Sequence, residues 1–385
     1  MRDNFLSFSP PLIEEEEITE VVDTLKSDWV TTGPKVHEFE TKFADFLGAE
    51  AALATSSATD AMQVGLAALG VSEGDEVITT PMTFCSTAHV IEHVGARPVF
   101  VDVEEKTLNI DPDNILKAIS PKTKAILPVH LYGHPCDMNQ VLDIAEEHNL
   151  FVLEDAAHAL PAVHQGKNIG NLGDLTAFSF YATKNLTTAE GGMLTGSKEL
   201  IEKARIWSLH GMSRDAWKRY SKKGSWYYEV VLPGYKCNMT DIQASIGIHQ
   251  LKKLPRFQKR RKEIVNQYHE AFKDLEEIKI PYESPEAESA WHLYVIRLEL
   301  DQLKIDRSAF IEQLKQRNIG SSVHFIPIHL HPYYRDKYGY QPDDYPITYR
   351  EYKRIISLPL NLRLSDQDVV DVIQAVKDIL NTYRV

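Results

Sequence analysis

The sequence predicts an α/β protein, with a large domain on a mostly parallel, mixed sheet and a smaller α+β domain at the C-terminus. Two observations carry this. From Ala51 onward, short apolar runs alternate with amphipathic stretches, the pattern of buried strands covered by helices on both faces. After a long polar helix from Thr240 to about Phe272 that alternation gives way to another. The chain is therefore divided into residues 1–245, the large domain with an N-terminal helix, and residues 246–385, the small domain.

Taken in order, Pro10 to Lys26 reads as a helix, with Ile18, Val21, Val22 and Leu25 at helical spacing behind an acidic turn from Glu14 to Glu17. The stretch from Trp29 to Gly33-Pro34 ends it. Buried strands are expected at 76–80, 97–102, 124–129 and 151–154, and helices at 112–119 and 138–147. In the C-terminal part, strands at 291–298 and 321–325 flank a helix at 307–316. Ser365, with Asp368 three residues on, caps a last helix that carries Val369, Ile373, Val376 and Leu380 on one face.

The chain has 385 residues, 43% of them hydrophobic and 25% charged, enough for two packed cores. No apolar run approaches the roughly 20 residues that span a bilayer, and the first ten residues lack an apolar core of signal-peptide length. Cys85, Cys136 and Cys237 are too far apart for a disulfide framework or a zinc site. A reducing cytoplasm is the expected compartment. The net charge of −13 argues against nucleic acid and anionic membrane as partners. Arg256 to Lys262 concentrates positive charge, read first as a solvated helix face and second as an anion site.

One lysine stands out chemically. In Ser179-Phe-Tyr-Ala-Thr-Lys184-Asn, Lys184 follows an apolar strand in a small-residue loop, ahead of Gly191-Gly192. Apolar neighbours lower an amine's pKa and make it a nucleophile able to form a Schiff base. Phe151-Val-Leu-Glu-Asp155 ends another apolar strand on a carboxylate. A Schiff-base lysine and an acid for a pyridinium nitrogen are the minimum that a protein contributes to pyridoxal phosphate chemistry. Ligands of such sheets sit at the carboxyl ends of the strands, which puts both residues on one rim.

Other residues admit two readings each. Ser57-Ala58-Thr59 opens a helix and either holds a phosphate or simply caps it. Phe84 stacks on a planar cofactor or belongs to the core. His158 alone reads as a core histidine, and Ser179 as a strand-end hydroxyl. Asp155 has no companions at metal-ligand spacing, so no metal is expected. The stretch from Val323 to Tyr334 is dense in histidines, but Pro327 and Pro332 break the helix a metal-binding face would need. Sugar contacts or loop packing fit it better.

Around these residues the chain resembles the DegT/DnrJ/EryC1/StrS family of pyridoxal phosphate-dependent sugar aminotransferases. The resemblance runs from Trp29–Glu40 through Glu154-Asp-Ala-Ala-His158, the lysine segment and Gly234–Ala244 to Ser357-Leu-Pro-Leu360. It implies the aspartate aminotransferase-like fold and a cofactor that alternates between pyridoxal and pyridoxamine 5'-phosphate. Lys184 is implied as the Schiff-base lysine, Asp155 as the partner of the pyridine nitrogen, and His158 as the residue near the ring hydroxyl. Phe84 is implied to stack on the ring, and Ser179 with Ser57, Ala58 and Thr59 to hold the phosphate.

Lys236 and Asn238 lie on a loop that in relatives reaches the neighbouring protomer's cofactor, so a homodimer with shared sites is implied. Thr32, His324 and His329 are implied to contact substrate, and Arg214 is a candidate for the donor's carboxylate. Lys236, where asparagine is common, and the His210–Trp217 segment resemble the branch that makes amino-arabinose for lipid modification. Ala58, where many members have glycine, and Cys237, where an aromatic is usual, depart from the pattern.

The implied reaction moves an amino group from L-glutamate, released as 2-oxoglutarate, to a nucleotide-linked keto-sugar. C4 of a UDP-sugar is favoured, for cell-surface polysaccharide, lipid A or antibiotic sugars. The alternatives are a cofactor-binding sensor without turnover and a sugar dehydratase. Against the latter stands Lys184 itself, which histidine replaces in dehydrating relatives.

Overall fold

The computed structural model describes residues 2–213 and 227–385. Arg214 and the end of the His210–Trp217 segment lie outside the described residues. The chain opens with helices α1 (Glu15–Lys26) and α2 (Pro34–Leu47). Helix α1 begins at Glu15 rather than Pro10, because Glu14 and Glu17 close a capping box there. The prolines at 10 and 11 hold the preceding residues out of the helical region.

The large sheet then assembles from β1 (Ala51–Thr55), β2 (Glu76–Thr79), β3 (Arg97–Phe100), β4 (Thr123–Ile126) and β5 (Phe151–Asp155). A small turn with β6 (Val163–His164) and β7 (Lys167–Asn168) precedes β8 (Leu175–Ser179) and β9 (Gly192–Gly196). The strand order is β1-β9-β8-β5-β4-β2-β3. Only β9 runs against its neighbours. Helices α3 (Ala58–Ala68), α4 (Ser86–His93), α5 (Pro112–Ala118), α6 (Met138–His148) and α7 (Lys198–Ser208) make the connections. Buried residues cover both faces of the sheet, with Phe39, Phe43, Phe178 and Phe180 on one side and Leu66, Val77, Leu127 and Leu153 on the other.

Helix α8 (Asp241–Phe272) passes from one core to the next. Its Ala244, Ile248, Leu251 and Leu254 join the first core, and its Ile264, Val265, Tyr268 and Phe272 join a second. That second core lies under β10 (Ile278–Lys279), β12 (Tyr294–Leu298) and β13 (Ile355–Leu358), which pair antiparallel. Strand β11 (Ala287–Glu288) pairs back to β6. Helices α9 (Arg307–Gln316), α10 (Pro332–Tyr338), α11 (Pro346–Tyr352) and α12 (Asp366–Tyr383) complete the small domain, α12 with the expected Ser365–Asp368 capping box.

One expected strand is absent. Residues 321–325 form no strand: only Ser322 pairs, with Ser357, and His324 Nδ1 then meets Ser357 Oγ at 2.8 Å. A single bridge stands in for a ladder: Ser322 and Ser357 exchange backbone bonds, and beyond it His324 bonds through its side chain. The positive run on α8 lies largely on a solvated face, as first read, with Arg256, Lys259 and Lys262 exposed, and several of its cations also pair within the chain. Arg256 pairs with Glu14, Arg260 with Asp366 and Lys262 with Glu288, while buried Arg261 donates to the carbonyls of Trp291, His292 and Leu360. Those cations join segments of the chain rather than forming an anion site.

One contact ties the two ends of the large domain together. The α2 N-terminus at Gly33 has no side-chain cap of its own. Buried Asp241, at the start of α8, supplies it, accepting from the N–H groups of Gly33 (2.8 Å), Val36 (3.0 Å) and Lys35 (3.1 Å). A side chain at Gly33 would run into Trp29 and Asp241, so the approach needs glycine. Removing the carboxylate strands these donors away from water. We predict that Asp241→Ala lowers stability by about 2–4 kcal/mol in urea unfolding of cofactor-free protein at fixed concentration. A loss below about 0.5 kcal/mol would show that the cap carries no weight.

Candidate active site

Strands β1, β2, β4, β5 and β8 point their carboxyl ends at one cavity of about 390 Å³. Its lining includes Ser57, Ala58, Thr59, Phe84, Asp155, His158, Ser179, Lys184 and His324. Residues more than 250 positions apart thus share one space, through the parallel crossovers and the close seat of the small domain.

Asp155, the last residue of β5, is 3% exposed. Its Oδ2 accepts from Thr87 Oγ1 at 2.8 Å and its Oδ1 from the Ala157 N–H at 3.1 Å. Burial pushes its pKa up, while these hydrogen bonds and the charge of Lys184 pull the other way. A cationic N–H placed beside it would tip the balance to the carboxylate. Lys184 is lowered to about 8 by burial, against the pull of Asp155. Among the described residues its amine makes no hydrogen bond or ion pair.

At another wall, β1 turns into α3. Ser57 is the N-cap: its Oγ accepts from the Asp60 N–H at 3.0 Å. The N–H groups of Ala58 and Thr59 belong to the first turn and have no intrahelical acceptor. Gly192 packs so tightly here that a Cβ would lie 2.4 Å from the Ser57 carbonyl carbon and 2.5 Å from the Ala58 nitrogen. The Gly-Gly step lets β9 pass under this turn.

Aromatic rings close the remaining sides. Phe84 is 57% exposed at the mouth, 5.9 Å from the ring of Phe325, and so is no core residue. His158 is buried, lies against Phe325 at 5.8 Å and His292 at 4.4 Å, and its Nδ1 has no partner among the described residues. His292 was not singled out from the sequence, where Trp291–Leu298 reads as one strand. Trp291 has φ of +48°, so the strand starts only at Tyr294 and His292 turns onto the cavity. A histidine in the opening of an apolar run is the one signal that marked it.

Four residues expected at the site do not line this chain's cavity. His329 is fully buried behind Pro327, with Nε2 3.3 Å from the Pro342 carbonyl and its ring against Tyr345. Buried there, it packs the loop and does not line this cavity, where it was expected to meet substrate. Thr32 donates to the Met239 carbonyl at 2.5 Å and accepts from Asn238 Nδ2 at 2.6 Å. Asn238 also holds the exposed Lys236 ammonium. These three residues form a group of their own outside the cavity.

The lining fits pyridoxal phosphate. A carboxylate for the ring nitrogen, an unpartnered amine, an unpartnered buried imidazole nitrogen and the free donors of a helix N-terminus border one space. Among the described residues, the carboxylates close enough to share a metal are Glu14, Glu16 and Glu17, which surround Lys253 elsewhere.

The sequence model of the DegT/DnrJ/EryC1/StrS aminotransferase family matches residues 11–377. A relative in Methanocaldococcus jannaschii, the uncharacterized protein MJ1066, is 54% identical over 385 residues, the whole of both chains. The spore coat polysaccharide biosynthesis protein SpsC of Bacillus subtilis is 53% identical over 381 residues, 98% of each chain. Among solved structures, the putative sugar aminotransferase Spr1654 of Streptococcus pneumoniae in its PMP form superposes with a TM-score of 0.93. It is 38% identical, over 98% of this chain and 99% of that one. The same protein in its PLP form superposes at 0.92. With its fold and full-length match, this chain belongs to the DegT/DnrJ/EryC1/StrS aminotransferase family.

Proposed function

We propose that this aminotransferase moves an amino group from L-glutamate to a nucleotide-linked keto-sugar, with the 4-keto position of a UDP-sugar favoured, in building a cell-surface polysaccharide or a related lipid or antibiotic sugar. The polysaccharide setting of the Bacillus relative supports this reading. The observation that carries it is the union in one cavity of Lys184, its amine lowered to about 8, with buried Asp155. The cofactor is pyridoxal phosphate, which when bound supplies an electron sink for breaking the donor's Cα–H bond.

In this reading each residue has a task. The Lys184 amine holds the cofactor's aldehyde carbon and, when free, takes the proton from the donor's Cα. Asp155 keeps a proton on the ring nitrogen, with Thr87 and the Ala157 N–H fixing its oxygens. The Ser179 hydroxyl and the Ser57-Ala58-Thr59 turn, through the N–H groups of Ala58 and Thr59, would hold the phosphate. His158 would stand beside the ring hydroxyl, Phe84 would cover the ring from the mouth, and His324 would meet the sugar. Lys236, Asn238 and Thr32 serve the neighbouring protomer's site in a homodimer. The compartment we propose is the cytoplasm, in keeping with three free cysteines. Among the described residues no helix is long and apolar enough to cross a membrane.

Adding glutamate to cofactor-loaded protein should move its absorbance from roughly 410–430 nm to near roughly 330 nm, and a keto-sugar nucleotide should reverse the change. An unmoved band would sink glutamate as donor. Asp155→Asn should slow the shift by on the order of 100-fold or more, and a near-normal rate would refute its role.

In cofactor-free protein, labelling of Lys184 by an amine reagent should rise through pH about 8 rather than 10.5, with Lys184→Ala as the blank. The sign follows from burial, which disfavours the ammonium in the folded chain. The unfolded chain therefore binds more protons between about 8 and 10.5, so this group's contribution to stability grows with pH across that window. A labelling midpoint near 10.5 would contradict it. Light scattering should report a dimer, and a strictly monomeric active protein would overturn the shared-site arrangement.

A further inference from the structure

His324 is held by three separate segments of the chain. Phe8, near the N-terminus, stacks on its ring with centroids 5.6 Å apart and planes at 25°, and Asn361 Nδ2 fixes the Phe8 carbonyl at 3.1 Å. Tyr132, in the loop after β4, donates its hydroxyl to the His324 carbonyl. Ser357, inside β13, meets the ring at Nδ1, its Oγ at 2.8 Å. The histidine lines the cavity with Lys184. Its Nε2 makes no hydrogen bond among the described residues.

Ser357 decides which ring nitrogen carries the proton. Its side chain is fully buried, and among the described residues its hydroxyl meets no other hydrogen-bond partner. A serine hydroxyl has one proton, and here it has one acceptor to give it to. Were Nδ1 the donor, the serine O–H would be buried with no acceptor, which native interiors avoid. With Ser357 donating, Nδ1 accepts and the imidazole proton stands on Nε2, the atom left without a protein partner.

We propose that His324 is a fixed hydrogen-bond donor, through Nε2–H, to an oxygen of the keto-sugar, and that Ser357 is the positioning residue that makes it one. The inference rests on the reading that His324 meets the sugar, and it adds the polarity of that contact. The subsite takes an acceptor oxygen, and His324 is no general base, because its one ring lone pair is engaged by Ser357. No covalent bond changes and no proton is transferred. Burial lowers His324 to about 4, with the charge of Lys184 acting in the same sense, so the ring stays neutral near pH 7. Stacking on Phe8 and the bond to Ser357 together resist rotation of the ring, so the donor is oriented before substrate arrives.

The first test needs no substrate. Nitrogen NMR of histidine-labelled, cofactor-free protein, with the His324 signals assigned by their loss in His324→Gln, should show the proton on Nε2. Ser357→Ala should give a mixture of tautomers. A wild-type His324 protonated on Nδ1 overturns the proposal. The second test times the two half-reactions by stopped-flow absorbance, with L-glutamate as one probe and UDP-4-keto-6-deoxyglucose as the other. Ser357→Ala should slow the keto-sugar half by about fivefold or more beyond any slowing of the glutamate half. A loss of general packing would slow both alike, and equal slowing of both, or of neither, overturns the positioning role. If Ser357→Ala fails to fold, the wild-type spectrum decides. A wild type that reacts with glutamate but not with the keto-sugar refutes the sugar reading and the ligand assigned here. The spectrum still decides the Nε2 proton, so the two failures are told apart.

Discussion

Strand direction is the constraint on which the site depends. A crossover helix returns the chain to the same edge of the sheet, so successive parallel strands end on one rim, and the loops after them must share that space. Asp155 ends β5, the Ser57 turn follows β1 and the lysine loop follows β8. The exception, β9, runs back from the rim between β1 and β8. It can leave the rim there because Gly192 lacks the Cβ that would strike Ser57 and Ala58.

Burial then does the electrostatic work. Withdrawing Lys184 and Asp155 from water disfavours the charge on each, so the amine is lowered to about 8 while the carboxyl rises. Each group's charge partly restores the other's. Hydrogen bonds from Thr87 and Ala157 hold the carboxylate ready for a cationic partner. The three imidazoles near the amine, His158, His292 and His324, are held below their usual range by the same desolvation. A neutral, partly aromatic wall thus surrounds a reactive amine.

The small domain is more than a lid on this arrangement. It brings His292, His324 and Phe325 to the cavity, and Asn185 ties the lysine loop back to it. Further contacts hold the two domains in register. Asp102 accepts from the N–H groups of Ile347 and Thr348 at the start of α11, and Glu92 accepts from Tyr338 Oη at 2.7 Å and from Lys337. Helix α8 threads both cores, so the segment that begins by capping α2 through Asp241 ends packed against β12.

What was legible in the chain alone was local. Apolar runs of strand length, the Ser365 cap, and a lysine among small residues after a strand are patterns of a few neighbours, and they mark β5, β8 and α12. Motifs spread along the sequence also carried the resemblance to the family. The placement of His329 and the shape of residues 321–325 were not legible, because proline turns and a side-chain bond to Ser357 decide them. His292 escaped notice because a positive φ at Trp291, visible only in the fold, turns it out of the strand pattern. By itself, then, the sequence determined the elements and the chemically unusual residues, since both follow from propensity and side-chain type. Only the tertiary structure decided which of those residues share a cavity and how far burial shifts their protons, because each depends on partners distant along the chain.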